Sequence, residues 1–157
     1  FRLSPGKEVR LKFAYYITCN EAIKDEKGKL IELRCTYDAD TKGGRSEDGR
    51  KVRGTLHWVS VKENTKAEIR LYDRLFNNEH PEKNGDFIEN INEESLKVID
   101  NAVLERSLHL GASDLPYQFE RTGYFKIDNK NSTSDKLVFN RAVSLRDSWA
   151  RFNKKVG

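Results

Sequence analysis

Apolar and polar residues alternate along the first part of the chain with the two-residue period of a β-strand. From residue 9 to residue 19 the odd positions are Val, Leu, Phe, Tyr, Ile and Cys, whereas the even positions are mostly polar. Successive side chains of a strand point to opposite faces of its sheet. The pattern therefore predicts one strand over residues 9–19 with one half-buried face.

The same period returns after a short polar segment, and this indicates a hairpin. The segment "DEKGK" separates the first strand from residues 31–37, where apolar positions again alternate with Glu, Arg and Thr. Gly28 in that segment suits a left-handed turn position, which glycine adopts without steric cost.

The hairpin makes a prediction about the two cysteines of the chain. If Asp25 faces Lys29 across the turn, Cys19 faces Cys35, since each cysteine lies the same distance farther along its strand. We expect both side chains on the core face as free thiols, because an intracellular compartment keeps thiols reduced.

The remaining pattern predicts short strands joined by polar turns. Residues 38–50 and 77–86 have the composition of loops, and residues 55–60 and 67–72 are predicted to form a second hairpin. The stretch "NEESLKVI" predicts one short helix near residues 93–99, with Asn92 as its N-cap. Further strands are predicted over residues 117–127 and 137–145. The whole arrangement is typical of an all-β barrel or sandwich.

Composition adds a mild electrostatic bias. The net charge of the 157 residues is +4, and 34% of them are charged. Such a charge is compatible with an anionic partner, although it is also common in proteins that bind none. No apolar run approaches the roughly 18 residues that span a membrane, and no signal peptide is visible, so we expect a cytoplasmic protein. The chain begins with Phe1 and contains no Met, and we expect it to be a piece of a longer protein.

No catalytic or metal-binding constellation stands out. The histidines His57, His80 and His109 do not have the spacing of a metal site, and no glycine-rich phosphate-binding loop is present. A self-contained enzyme is therefore disfavoured.

Basic, amide and aromatic residues are more informative when they are placed on the predicted strands. The set comprises Arg10, Lys12 and Tyr16 on the first strand, Arg50, Lys51 and Arg53 at the mouth of a later strand, and Gln118 and Arg121 beside Phe119. Guanidinium and amide groups hydrogen-bond base edges, and aromatic rings stack on unpaired bases. The alternative is cross-strand pairing of side chains within the protein, as for Arg34 near Asn20. The residues alone leave both interpretations open.

Several longer motifs carry a resemblance to a known family. They are "FRLSPGKEVRLK", "CTYDADTKGGRSEDGRKVRGTLHWVS", "AEIRLYDRLF", "YQFERTGYF" and "LVFNRAVSLRDSW". In this order they resemble the C-terminal anticodon-binding region of glutaminyl-tRNA synthetase over nearly the whole chain. "GRKVRGTLHWV" is shared with related glutamyl enzymes, and "FERTGYF" with "VFNRAVSLRDSW" favours the glutaminyl kind.

The resemblance implies a particular fold. Members of this family have two six-stranded β-barrels of the ribosomal protein L25 type that exchange strands, and the first strands would be missing from this chain. We expect residues 1–76 to belong mainly to one barrel and residues 77–157 mainly to the other, with two lobes that meet near Phe76.

The resemblance also implies a function for the parent enzyme. That enzyme ligates glutamine to tRNA-Gln with ATP and Mg²⁺, and it is expected to be monomeric. This chain would hold no catalytic residue, metal or cofactor and would be inactive alone. The alternatives are the anticodon-binding region of an archaeal or eukaryotic-type glutamyl-tRNA synthetase and a basic β-barrel that binds a protein partner.

Site residues follow from the resemblance where positions match. Arg2 corresponds to an arginine that reads the third anticodon base, a guanine, and Arg10 to one that contacts the first base. Gln118 corresponds to the glutamine that reads the central uracil, with Arg121 beside it in the same motif. Lys12 stands where a related enzyme has an arginine. A lysine has no bidentate fork, so a phosphate contact is expected for it.

The signature "GRKVRGTLHWV" contains basic residues without an assigned base. We expect Arg50, Lys51 and Arg53 to be candidate contacts to the RNA backbone only. His57 and Trp58, in the same signature, are predicted to be packing residues.

Overall fold

The computed structural model of the protein describes residues 2–83, 85–108 and 115–145. The chain divides into two compact units, Phe1–Trp58 and Val59–Gly157. Each unit contains one β-sheet, which confirms the all-β prediction. The strand exchange, the six-stranded barrels and their assignment to residues 1–76 and 77–157 stay predictions. No helix among the described residues combines the length and apolar character that crossing a membrane requires.

The first unit is built on a four-stranded sheet. Its strands are β1 (Glu8–Leu11), β2 (Tyr16–Lys24), β3 (Leu30–Asp38) and β4 (Thr55–Leu56). The spatial order is β3-β2-β1-β4. β2 pairs antiparallel with both β1 and β3, whereas β4 lies parallel to β1. The parallel pair brings the loop of residues 39–54 back to the edge of the sheet.

The single strand predicted over residues 9–19 is in fact two strands. The chain reverses between β1 and β2, where the N–H of Ala14 donates to the carbonyl of Leu11 at 3.0 Å. Phe13 adopts a left-handed φ of 59° in this turn. Val9 and Tyr16 are buried on either side of the reversal. Tyr16 stands opposite Arg10, so the predicted place of Tyr16 on an exposed polar face with Arg10 and Lys12 is wrong. The reversal at Phe13 ends the simple alternation that predicted one continuous strand.

The predicted hairpin register is confirmed, but the predicted burial of both cysteines is wrong. Cys19 lies opposite Cys35 in the β2–β3 pair, and Gly28 has the expected left-handed φ of 78°. Asn20 and Ile31 are unpaired in this ladder, and the two irregularities lie on opposite strands and cancel. Cys19 is buried, whereas Cys35 on the edge strand is exposed, and both are free cysteines.

The second hairpin predicted from residues 55–60 and 67–72 does not form. Thr55 and Leu56 make up β4, which pairs with β1. The later segment is β5 (Asn64–Tyr72), which belongs to the sheet of the second unit. Pairing with strands distant in sequence has replaced the local pairing in both cases.

The second unit contains a five-stranded sheet with an aromatic core. Its strands are β5 and then β6 (Leu96–Glu105), β7 (Tyr117–Phe119), β8 (Gly123–Ile127) and β9 (Leu137–Ser144), in the spatial order β6-β5-β9-β8-β7. Phe125 and Phe139 are fully buried. The ring of Phe119 stacks on Phe125 at 4.4 Å between centroids and meets Phe139 edge-on at 5.3 Å. These rings fix the inner face of β7.

The short helix predicted near residues 93–99 is wrong, because β6 begins at Leu96. Asn92 does act as a cap, since its Oδ1 accepts a hydrogen bond from the N–H of Glu94 at 3.1 Å. The segment that it caps is a turn and not the predicted helix. Ile99 then pairs with Ile69 of β5 and packs against the core. Pairing with β5 along β6 outweighs the weak helical signal of two turns.

The strand predicted over residues 117–127 is interrupted by a turn. β7 and β8 pair antiparallel, and the N–H of Thr122 donates to the carbonyl of Phe119 at 2.9 Å between them. Arg121 takes a left-handed φ of 61° in this turn. The strand predicted over residues 137–145 is confirmed as β9.

Candidate nucleic-acid interface

Arg10 of the first unit is held by hydrogen bonds to two neighbouring segments. Its Nε and Nη2 donate to Oγ1 of Thr55 on β4 at 3.1 and 3.0 Å, and Nη1 donates to the carbonyl of Gly44 at 3.1 Å. A guanidinium has five N–H donors, so two remain beyond these three bonds. Arg10 therefore orders the loop before β4 and retains donors for a ligand.

Gly44 is the residue that lets the loop approach Arg10 so closely. Its φ is 80°, and a Cβ added there would lie 2.6 Å from Cδ of Arg10. Any larger residue would displace the arginine side chain as well as strain the backbone. The glycine pair in "KGGR" thus has a structural purpose that the composition of the loop did not reveal.

Lys12 and Phe13 form the tip of the β1–β2 turn. The carbonyl of Lys12 accepts a hydrogen bond from Nε1 of Trp58 at 3.0 Å. Nζ of Lys12 lies 5.0 Å from the centroid of the Phe13 ring, a cation–π distance. The alternation had placed Phe13 on the core face, but the side chain is 85% exposed. Of the two residues predicted to pack, His57 is exposed, whereas Trp58 is 44% exposed and is held at the turn by its hydrogen bond to Lys12.

Arg50 is the centre of an ion-pair cluster that we call the Arg50 cluster, formed with Glu8, Asp38 and Asp48. Nε and Nη2 of Arg50 each lie 3.1 Å from an oxygen of Glu8, and the guanidinium also pairs with the other two carboxylates. It lies 5.4 Å from the ring centroid of Tyr16. The hydrogen bonds that Arg50 donates to Glu8, and then to Asp38 and Asp48, raise the pKa of Arg50. These contacts favour a structural role for Arg50 in fastening the loop to the sheet.

The Arg50 cluster predicts a dependence of stability on pH. Hydrogen bonds from the Ser46 hydroxyl, the Arg50 N–H and the Arg50 side chain lower the pKa of Asp48 from 3.8 to about 2. Because the folded pKa is the lower one, the contribution of Asp48 to stability is complete above its unfolded value and is lost as the pH falls through about 2. NMR titration of the Asp48 carboxyl carbon should give a midpoint near 2. A midpoint at the ordinary value for aspartate would contradict the hydrogen bonds, and Asp48→Asn should remove this part of the acid sensitivity.

Arg2, Lys51 and Arg53 are exposed residues of the first unit. Arg2 lies before β1, and the other two lie in the loop before β4. Within the described part of the chain, their side chains make no ion pair. They are therefore better placed than Arg50 to meet an anionic ligand.

Gln118 and Arg121 lie on and beside the edge strand of the second sheet. Tyr117 and Phe119 face the core, and the alternation of the strand turns Gln118 to the opposite, exposed side. Gln118 pairs in register with Tyr124 of β8. Arg121 stands at the turn that follows. An exposed amide thus lies beside an aromatic residue on a strand with a rigid inner face.

The described residues do not offer an arrangement for a metal ion. Over residues 2–83, 85–108 and 115–145, no group of three or more His, Cys, Asp or Glu side chains is arranged to bind one. The functional groups at the surface are instead hydrogen-bond donors, cations and exposed aromatic rings. Such groups recognise nucleic acid by contacts to bases and phosphates.

Comparison with known proteins agrees with this chemistry. Two family models, both described as "tRNA synthetases class I (E and Q), anti-codon binding domain", match residues 1–38 and 55–128. The chain therefore belongs to the anticodon-binding domains of the class I tRNA synthetases of the E and Q type.

Curated relatives are of the glutamine kind. The chain is 54% identical over 149 residues to the glutamine–tRNA ligase of Aliivibrio fischeri, covering 95% of this chain and 27% of the relative. It is 48% identical over 151 residues to that of Bradyrhizobium diazoefficiens, covering 96% of this chain and 27% of the relative. The resemblance to glutaminyl-tRNA synthetase is confirmed, and the chain spans about a quarter of the length of these relatives.

Proposed function

We propose that this chain recognises the anticodon of tRNA-Gln as part of a longer glutamine–tRNA ligase. The observation that carries the proposal is the match of anticodon-binding family models to segments of both units. The exposed side chains of Arg2, Lys51 and Arg53 in the first unit and of Gln118 on the second sheet support it, because guanidinium, ammonium and amide groups are the ones that contact unpaired nucleotides. The family description covers E and Q enzymes alike, so tRNA-Glu is the competing substrate.

The roles of the candidate residues follow from their chemistry. The planar fork of Arg2 suits the two acceptors of guanine, and the amide of Gln118 can both donate to and accept from a uracil edge. Arg10 would donate hydrogen bonds from its two remaining N–H groups to the first anticodon base. Lys12 and Lys51 suit a phosphate because an ammonium group acts as a point charge, and the guanidinium of Arg53 suits one because it can donate two parallel hydrogen bonds. Arg121 would support Gln118 from the adjacent turn.

The ligation reaction itself would take place outside this chain. The relatives are ligases of which the chain covers 27%. We propose that the remainder of the enzyme binds ATP, Mg²⁺ and glutamine, and that this chain alone does not charge tRNA. The parent enzyme would act as a monomer, with this region selecting the tRNA.

The proposal is tested by Arg2→Ala in the full-length enzyme. We expect the variant to lose about 1–3 kcal/mol of discrimination at the third anticodon base, the usual value of a bidentate base contact. Charging rates would be measured with tRNA-Gln transcripts that carry each single anticodon substitution. Arg53→Gln is the matched control. Loss of a phosphate contact should weaken binding of all transcripts about equally and reduce the salt dependence of binding.

Two outcomes would contradict the proposal. If Arg2→Ala lowers charging of every transcript by the same factor, Arg2 does not read a base. If the unaltered enzyme charges tRNA-Glu in preference to tRNA-Gln, the glutamyl alternative is correct.

A further inference from the structure

The turn between β1 and β2 holds Phe13 in a backbone conformation that phenylalanine rarely adopts. Its φ of 59° lies in the left-handed region, where a bulky residue is an outlier. The hydrogen bond from Ala14 to Leu11 makes Phe13 the third residue of a four-residue turn, a position that favours glycine or asparagine when φ is positive. Strain of this kind concentrates at binding sites.

Hydrogen bonds fix this turn from two sides. The N–H of Leu11 donates to the carbonyl of Tyr15 at 2.9 Å and closes the hairpin. The N–H of Lys12 donates to the carbonyl of Leu56 at 2.9 Å, and its carbonyl accepts from Trp58. The turn is thus attached to the neighbouring strand as well as to itself. The position of the Phe13 backbone is set before any ligand binds.

The side chains on the turn combine a flat apolar surface with a positive charge. The Phe13 ring is 85% exposed, and Nζ of Lys12 lies 5.0 Å from its centroid. With Lys12 over one face of the ring, the opposite face is the one offered to a ligand. A nucleotide has the matching features, because it joins a flat base to a phosphate. An apolar protein partner would instead require an apolar rim, whereas the neighbour here is an ammonium group.

We propose that Phe13 and Lys12 form a stacking site for one unpaired nucleotide, with the base on the Phe13 ring and a phosphate at Lys12. This inference rests on the proposed function, since the unpaired nucleotide would come from the anticodon loop. Every base has a π face, so stacking is tolerant of sequence. The site therefore adds affinity for the loop and leaves discrimination among anticodon bases to other residues.

The experiment uses Phe13→Asn in the full-length enzyme with tRNA-Gln transcripts. Asparagine tolerates the left-handed backbone, so we expect a melting temperature equal to or above that of the unaltered enzyme. The Kd should rise roughly 5- to 100-fold for every anticodon variant alike, the loss expected for one stacked base. A 2-aminopurine placed in turn at each anticodon-loop position should lose its binding-induced quenching at one position only.

Three further variants serve as controls. Phe13→Tyr keeps a ring and should bind as the unaltered enzyme does, whereas Phe13→Leu keeps apolar area without a ring and should bind weakly. Ile31→Asn removes another apolar side chain of the same unit, one that is 65% exposed, and should leave the Kd unchanged. If Phe13→Asn does not fold, the Kd values of Phe13→Tyr and Phe13→Leu decide whether an aromatic ring at this position is needed for binding.

The outcomes separate this inference from the proposed function. An unaltered Kd in Phe13→Asn, or full binding by Phe13→Leu, would overturn the stacking site. Arg2→Ala would still report on anticodon reading in either case. If the unaltered enzyme does not distinguish the anticodon variants, the proposed function fails, whatever Phe13 does to the Kd. If it binds none of the transcripts, both proposals are wrong.

Discussion

Phe139→Ala is expected to lower the free energy of unfolding by about 3–5 kcal/mol, the usual cost of truncating a buried phenylalanine. The side chain is fully buried on β9 in the centre of the second sheet. Its ring meets Phe119 at 5.3 Å and Tyr117 at 6.0 Å, both edge-on. Truncation would remove these contacts and leave a cavity, because backbone pairing on both sides of β9 prevents the sheet from closing over it.

Urea denaturation would measure this loss, with Val143→Ala as the control. Val143 lies on the same strand but is 59% exposed, so its truncation should cost less than about 1 kcal/mol. Similar costs for the two variants would show that the aromatic cluster is not the core of this unit. Because Tyr117 and Phe119 flank Gln118 on β7, Phe139→Ala should also loosen the strand that presents the glutamine.

Alternation of apolar residues was sufficient to predict the sheets but not every chain reversal. Two segments predicted as continuous strands are hairpins, and each breaks at a residue other than glycine in a left-handed conformation. These residues are Phe13 and Arg121. Turn prediction relies on Gly, Asn, Asp and Pro, since those residues reach turn geometries at low cost. Here the tertiary structure imposes the left-handed geometry on Phe13 and Arg121, so residue type gives no signal at those two positions.

Pairing between distant strands accounts for the other differences. The β1–β4 and β5–β9 pairs are parallel and join segments that are far apart in sequence. A hairpin is encoded by its turn, whereas a parallel pair depends on where the intervening chain packs. The β2–β3 register was predictable for that reason, and the partners of β4 and β5 were not.

The candidate site was predictable to different degrees for different residues. Arg2 and Gln118 were selected from the family motifs, and both side chains are exposed in the structure, while their base-reading roles stay predictions. The engagement of Arg50 with three carboxylates was not visible, because its partners come from β1, the end of β3 and its own loop. Exposure of Phe13 depends on the turn, so a residue assigned to the core by alternation became a candidate ligand contact.

Gly123→Ala is expected to destabilise the protein by about 2–4 kcal/mol through overpacking and backbone strain together. Gly123 begins β8 with a φ of 155°, and a Cβ there would lie 2.5 Å from the carbonyl oxygen of Val143. That oxygen belongs to the backbone of a central strand, so it cannot rotate away as a flexible side chain would. The β7–β8 turn would have to shift, and Arg121 and Gln118 would move with it.

Gly28→Ala is the matched control for this substitution. Gly28 has a left-handed φ of 78°, but nothing lies within 4 Å of the added Cβ. Gly28→Ala should therefore lower the free energy of unfolding through backbone strain alone, by roughly 1 kcal/mol. Urea denaturation would compare the two variants, and amide hydrogen exchange of β7 and β8 would locate the damage. If Gly123→Ala lowers the free energy of unfolding no more than Gly28→Ala does, β8 and β9 can move apart at this point without loss of stability. The close approach of β8 to β9 would then not be what holds the hairpin carrying Gln118 and Arg121 in place.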